Sequence, residues 1–228
     1  MAISVADAMN SQQTVGQETM GVMGGMFDPV HDGHLAAARL ALEELGLARV
    51  YLVPCARPNH RNEPGASGEH RVAMLTLAIA GDKRLVVDTR ELQRPGVSYM
   101  VDTLRSFVAE FPQATLVYIL GRDSFYSLPR WHQWRELLDL CHLAVTHRPA
   151  QDTGLMPSEL LIEYQQRRVG SAAELMSSPR GHILMLDNLD VPASSSAVRQ
   201  QLASGDNTLP VPAAVLDYIH LHGLYRPA

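Results

Sequence analysis

The chain has 228 residues, of which 46% are hydrophobic and 19% charged, with a formal net charge of −5. That length suits one compact domain, or one domain with a small appendage, and the apolar share is enough for a full core. The acidic balance gives no overall footprint for nucleic acid, and no stretch approaches the roughly 18 apolar residues that span a bilayer.

Met1–Gln17 is small and polar and lacks the basic start and apolar run of a signal peptide. It reads as a disordered arm over residues 1–18, with a single domain over 19–228. The first strand candidate is Met20–Met23. The Gly-rich segment Gly24–His34 follows, and then an Ala- and Leu-rich helix over Leu35–Leu45. Val50–Val53 is the next strand, and Pro54–His70, with its prolines and glycines, reads as a long surface loop of the functional kind. Val72–Ala80 is helical and Leu85–Val87 a strand. After Ser98, the spacing of Leu104, Phe107, Val108 and Phe111 marks one helix face. Leu116–Leu120, His142–Val145 and Ile183–Leu186 complete the strands. Gln151–Arg180 reads as a polar peripheral insertion with one helix near Glu159–Arg168, and Val211–Leu221 is a closing helix.

The apolar runs are short and continuous, as in strands covered on both faces. Their alternation with helices predicts an α/β fold, a Rossmann-like doubly wound parallel sheet of five to six strands with helices on both faces. Such sheets bind ligands at the carboxyl ends of their strands. Cys55 and Cys141 have no CxxC spacing and make neither a disulfide framework nor a zinc knuckle, which fits a reducing cytoplasm. Arginines far outnumber lysines and sit singly in loops, which suits small phosphates.

The sharpest signal is Gly24-Gly25-Met26-Phe27-Asp28-Pro29-Val30-His31-Asp32-Gly33-His34. Two glycines allow a tight turn and close approach to a ligand, while Asp28-Pro29 sets a turn. The helix that follows offers free N–H groups and a positive dipole end to an anion, with His31 and His34 as further donors. A Walker A loop is excluded, because the Gly-Lys-Ser/Thr ending is missing. A metal reading of the His pair lacks a third ligand nearby. A second signal is Ser194-Ser195-Ser196 followed by Arg199 at a helix start, where serines serve as caps and, with the arginine, as phosphate donors.

The eleven-residue string resembles the (H/T)xGH signature of the nucleotidyltransferase family, in the version carried by bacterial nicotinate-nucleotide adenylyltransferases. Ala193–Arg199 is similar to that family's ISSTxxR segment, with Ala193 for Ile and Ser196 for Thr. Pro58-Asn59-His60-Arg61 resembles its PPHK/R loop. Arg90-Glu91-Leu92 with Ser98-Tyr99 and Thr103 resembles its RELxRxxxSYTxxTL segment, with Met100 in place of Thr. Gly121-Arg122-Asp123-Ser124 with Trp131 and Trp134 resembles GxDxxxxxxxW, while Arg148-Pro149 and Gly223-Leu224-Tyr225 also fit.

The resemblance implies transfer of the adenylyl group of ATP to nicotinate mononucleotide in NAD biosynthesis. His31, His34 and Arg199 would be catalytic. ATP would lie on Gly24, Gly25, Met26, Phe27, His31, His34, Gly121, Asp123, Ser194, Ser195, Ser196 and Arg199. The mononucleotide would meet His60, Ser98, Tyr99, Met100, Trp131, His132 and Arg148, with Trp131 stacked on the pyridine ring. Magnesium would ride on the ATP phosphates, and no protein metal ligands are expected. No nucleic-acid or membrane partner is expected, and homo-oligomerisation stays open. The alternatives are a nicotinamide mononucleotide or pantetheine phosphate acceptor, or a non-catalytic pyridine-nucleotide sensor. An aminoacyl-tRNA synthetase fragment is disfavoured by the acidic charge.

Overall fold

The computed structural model describes residues 18–58, 64–147, 154–186, 191, 193–205 and 208–226. The expected N-terminal arm, except for Glu18, lies outside them.

Seven strands among these residues form one wholly parallel sheet: β1 (Thr19–Gly25), β2 (Arg49–Pro54), β3 (Leu85–Val87), β4 (Thr115–Gly121), β5 (His142–Thr146), β6 (Arg168–Val169) and β7 (Ile183–Leu186), in the order β3-β2-β1-β4-β5-β7-β6. Each crossover carries helical segments. They are α1 (Asp32–Leu45), α2 (Gly68–Ala78), α3 (Arg90–Gln93), α4 (Met100–Glu110), α5 (Arg122–Ser127), α6 (Leu137–Leu140), α7 (Ser158–Arg167) and α8 (Ala172–Leu175). After β7 the chain ends in α9 (Ser195–Ala203) and α10 (Ala213–Leu221). None of these helices is long and apolar enough to cross a membrane.

The alternation of side chains along each strand sorts the core into two layers. Met23, Val50, Leu52, Val117, Ile119 and Ala144 face a layer built by α1, α2, α9 and α10 through Leu42, Met74, Leu75, Val198 and Val215. Their neighbours Val22, Tyr51, Val53, Leu116, Tyr118 and Leu143 face α4, α5, α6 and α7 through Leu104, Phe107, Phe125, Leu137 and Leu160. Burying each such Leu or Phe stabilises the fold by about 2 kcal/mol, and both strand faces are used, which is why the strands read as unbroken apolar runs. Helix ends follow local chemistry. Gly46, at φ 60°, closes α1 with its N–H on the Leu42 carbonyl, and the Ser67 hydroxyl caps α2 by accepting the His70 N–H at 3.3 Å.

The strand count corrects the expectation of five to six. The extra strand is β6, two residues long, which pairs with β7 through Arg168 opposite Ile183 and Val169 opposite Leu184. A two-residue strand has no periodicity to read. The stretch that holds it is also less peripheral than expected, since Leu160 and Leu175 are fully buried. The expected loop Pro54–His70 is shorter at both ends, because Pro54 closes β2 and α2 begins at Gly68.

From β1 the chain winds outward to β3, then returns to lay β4 on the other side of β1. The sheet's switch point is therefore the crevice between the carboxyl ends of β1 and β4, at Gly25 and Gly121.

Candidate active site

The β1–α1 connection fills this crevice. Phe27 takes the left-handed conformation, φ 48°, which turns its ring inward to full burial beneath the loop. A Cβ on Gly25 would stand 3.1 Å from that ring, so glycine is what lets the chain fold over it. His31 is buried at the start of α1, and His34 lies in the first turn. The two imidazoles stack at 3.7 Å, and the Phe27 ring meets His34 edge-on at 4.9 Å. The His31 N–H donates to His34 Nδ1 at 3.3 Å, so a neutral His34 carries its proton on Nε2 and presents that nitrogen as a donor.

A second helix start converges on the same loop. Ser195 Oγ donates to the Pro29 carbonyl at 3.0 Å and pins α9 there. Gly33 sits where the helices meet: a Cβ on it would lie 3.4 Å from the Ala193 Cβ. Ser194 caps α9 by accepting the Ala197 N–H at 3.2 Å, and Ser196 Oγ accepts from Arg199 Nη2 at 3.3 Å. Arg199 Nη1 donates to the Asp28 carbonyl and lies 3.6 Å from Asp28 Oδ2. Two helix N-termini, two stacked histidines and a guanidinium thus surround one spot, a setting for polyanionic phosphate.

Asp28 is the residue that sequence reasoning missed. It reads as a turn former, yet the residue is 4% exposed and its carboxylate accepts from Gly65 N at 2.7 Å, Ala66 N at 3.0 Å and the Tyr225 hydroxyl at 2.7 Å. Arg71 is the buried cation opposite. At 1% exposure, it donates to the Met26 carbonyl at 2.8 Å and the Ala66 carbonyl at 3.3 Å. Burial lowers the Arg71 pKa, against the pull of the Asp28 charge, and burial with the carboxylate bond raises that of Tyr225 well above the usual tyrosine range. The position of Asp28 inside the eleven-residue string was its one sequence signal. Arg71, beside Glu69 and His70 in the first turn of α2, had none.

The other wall of the crevice comes from α4 and the segment after α5. Tyr99, at the start of α4, lies against the His132 ring at 4.4 Å. Trp131 is half-buried, its indole N–H on Ser127 Oγ at 3.0 Å and its ring 6.4 Å from Tyr118. Met100 crosses between the two halves, its methyl group lying where a Cβ of Gly24 would be. Ser98 ties the end of β2 to α4: its hydroxyl accepts from Ala56 N at 3.2 Å and Arg57 N at 3.4 Å. Behind it the buried Glu91 accepts from Thr103 Oγ1 at 2.6 Å, and desolvation raises its pKa. Gly121 ends β4 with the Asp123 carboxylate folded back over it, 2.7 Å from where a Cβ would stand. The neighbouring Arg122 donates to the Tyr126 hydroxyl at 2.9 Å.

The structure therefore gathers Gly24–Phe27, His31, His34, Ser194–Ser196 and Arg199 on one side of the crevice. Ser98–Met100, Trp131 and His132 gather on the other, and Gly121 and Asp123 lie at its β4 edge. His60 and Arg148 lie outside the described residues. Among the described residues no group of three or more His, Cys, Asp or Glu is arranged to hold a metal ion.

The chain is similar to known proteins. Residues 22–201 match the cytidylyltransferase-like family. A protein of Laribacter hongkongensis named "Probable nicotinate-nucleotide adenylyltransferase" is 46% identical over 91% of this chain and 94% of its own length. A protein of Aeromonas hydrophila with the same name is 43% identical over 92% and 98%. The fold is that of the Plasmodium falciparum nicotinic acid mononucleotide adenylyltransferase complexed with NaAD, with a TM-score of 0.70 at 17% identity, covering 92% of this chain and 98% of that one.

Proposed function

The chain belongs to the cytidylyltransferase-like family, in its nicotinate-nucleotide adenylyltransferase branch, and we propose that it transfers the adenylyl group of ATP to nicotinate mononucleotide, giving nicotinate adenine dinucleotide and pyrophosphate. The observation that carries this reading is the convergence of α1, α9, His31, His34 and Arg199 on the loop after β1, facing a wall of Tyr99, His132 and Trp131.

The nucleophile is the phosphate of the mononucleotide. A phosphate monoester has a second pKa of about 6, so near neutrality it is already largely dianionic and needs no general base. Its oxygen forms a bond to the α-phosphorus of ATP as the bond to the β-phosphate oxygen breaks, and pyrophosphate leaves with that electron pair. The protein's work is to align two anions and to neutralise charge that grows on the leaving group. His34 Nε2–H and the first turn of α1 serve the α- and β-phosphates, while Arg199 and the start of α9 serve the β,γ end. The hydroxyls of Ser194 and Ser195 act through the backbone, as cap and tether, and that of Ser196 supports the Arg199 guanidinium. Magnesium enters as part of the substrate MgATP. The histidines and arginine of this site suit phosphate oxygens, whereas Mg2+ demands oxygen ligands.

Trp131 and Tyr99 take the pyridine ring between aromatic faces, and the main-chain amides near Met100 and His132 receive its carboxylate. Asp123 orients a ribose hydroxyl. Pyrophosphate release from MgATP, measured with nicotinate mononucleotide, nicotinamide mononucleotide and pantetheine phosphate in turn, tests the assignment. Turnover is expected to be fastest with the nicotinate form. An equal or faster rate with either other acceptor would overturn it.

A further inference from the structure

Asp28 lies within the Gly24–His34 segment, yet its own charge would repel a phosphate, and the residue is 4% exposed. Its oxygens are instead surrounded by donors. Oδ1 accepts from Ala66 N and the Tyr225 hydroxyl, and Oδ2 accepts from Gly65 N and faces Arg199 at 3.6 Å. A carboxylate gripped at both oxygens cannot turn about its χ2 bond. The same residue also receives Arg199 Nη1 on its main-chain carbonyl, so Asp28 orients the guanidinium from two directions, with Ser196 Oγ as a third support. An arginine side chain carries large rotamer entropy, and one held in place beforehand loses less of it when an anion binds.

Tyr225 reaches Asp28 from the far end of the chain. α10 packs on α2, the Leu224 N–H returns to the Ile219 carbonyl at 3.0 Å, and Tyr225 at φ 61° turns its ring inward beside Gly65. Its hydroxyl donates at 2.7 Å to the carboxylate oxygen opposite the one that faces Arg199.

We propose that Tyr225 and Asp28 are positioning residues for the transfer: the Tyr225 hydroxyl locks the Asp28 carboxylate, and Asp28 holds the Arg199 guanidinium ready for the triphosphate. The role rests on Arg199 binding the triphosphate, as in the proposed reaction, and it brings the C-terminal segment into the active site.

The test is a double-mutant cycle read by calorimetric affinity for MgATP, with affinity for nicotinate mononucleotide measured alongside. Tyr225→Phe removes one hydroxyl and is expected to weaken MgATP binding about threefold to tenfold; Asp28→Asn is expected to weaken it about tenfold or more. Mononucleotide affinity should stay unchanged in both. In an Arg199→Met background either change should cost less than about twofold more, because residues that act through one another are not additive. Equal losses in both backgrounds, or equal losses for both ligands, would overturn the proposal, as would a Tyr225→Phe protein with wild-type affinity. Should Asp28→Asn fail to fold, Tyr225→Phe decides alone. Mononucleotide-dependent pyrophosphate release by the unmodified protein reads the reaction separately. Its absence beside a coupled loss of MgATP affinity would reject the reaction and uphold the positioning role.

Discussion

Where the Gly24–His34 half of the crevice is made of main chain, helix ends and buried polar groups, the Tyr99–Trp131 half is made of aromatic faces left partly open. The first half is over-determined. His34 is wedged between His31 and Phe27, and Arg199 is held by Asp28 and Ser196. The second rests on fewer and looser contacts, such as Tyr99 on His132 at 4.4 Å and Trp131 at 6.4 Å from Tyr118. The contrast matches the two tasks proposed for them. Charge that develops during reaction is stabilised best by donors fixed in advance, whereas a flat ring gains from any aromatic surface at the right height.

That division can be broken by mutation. The largest effect is expected at His34→Ala, which should lower turnover at least ~100-fold in a protein that still folds and melts cooperatively. Steady-state kinetics and a melting curve on one preparation check it. Near-normal turnover would mean that the well-ordered half is scaffold and not machinery. Trp131→Ala comes next, with KM for the mononucleotide raised about tenfold and KM for ATP held, since stacking on an aromatic side chain contributes on the order of 1–3 kcal/mol per base. A matching rise in both constants would show that the halves are not separable. Gly24→Ala is the mildest and lies on the seam. The added methyl collides with the end of Met100, a flexible side chain, so the cost should be about fivefold and fall on the mononucleotide, not on ATP. An effect confined to ATP would deny that Met100 joins the two sides.

What could be read in advance follows the same division. β1, β2, β4, β5 and β7 were legible because burial on both faces leaves an apolar run, and β6 was not, because two residues leave no pattern. The turn from β1 into α1 was legible because its parts are consecutive: glycines, histidines and a helix start within eleven residues of Gly24 to His34. The support beneath it was not. The partners of Asp28 stand 37, 38 and 197 positions away, and nothing in a linear string says that a turn-forming Asp, a loop and a C-terminal Tyr will meet. The three serines fall between these cases. Their place at a helix start was readable, but the Pro29 carbonyl as the partner of Ser195 was a product of folding.

The two helical layers have one more consequence. Displacement at phosphorus requires the entering oxygen and the departing one to lie on a common line, on opposite sides of the reacting atom. Here α1 and α9 cover one face of the sheet and α4 and α5 the other, and the two sets of residues meet at the edge where Met100 passes Gly24. Substrates held as proposed, one from each face, would approach the β1–β4 edge from opposite directions, so the strand order that separates the layers would also lay down the axis along which the bond is exchanged.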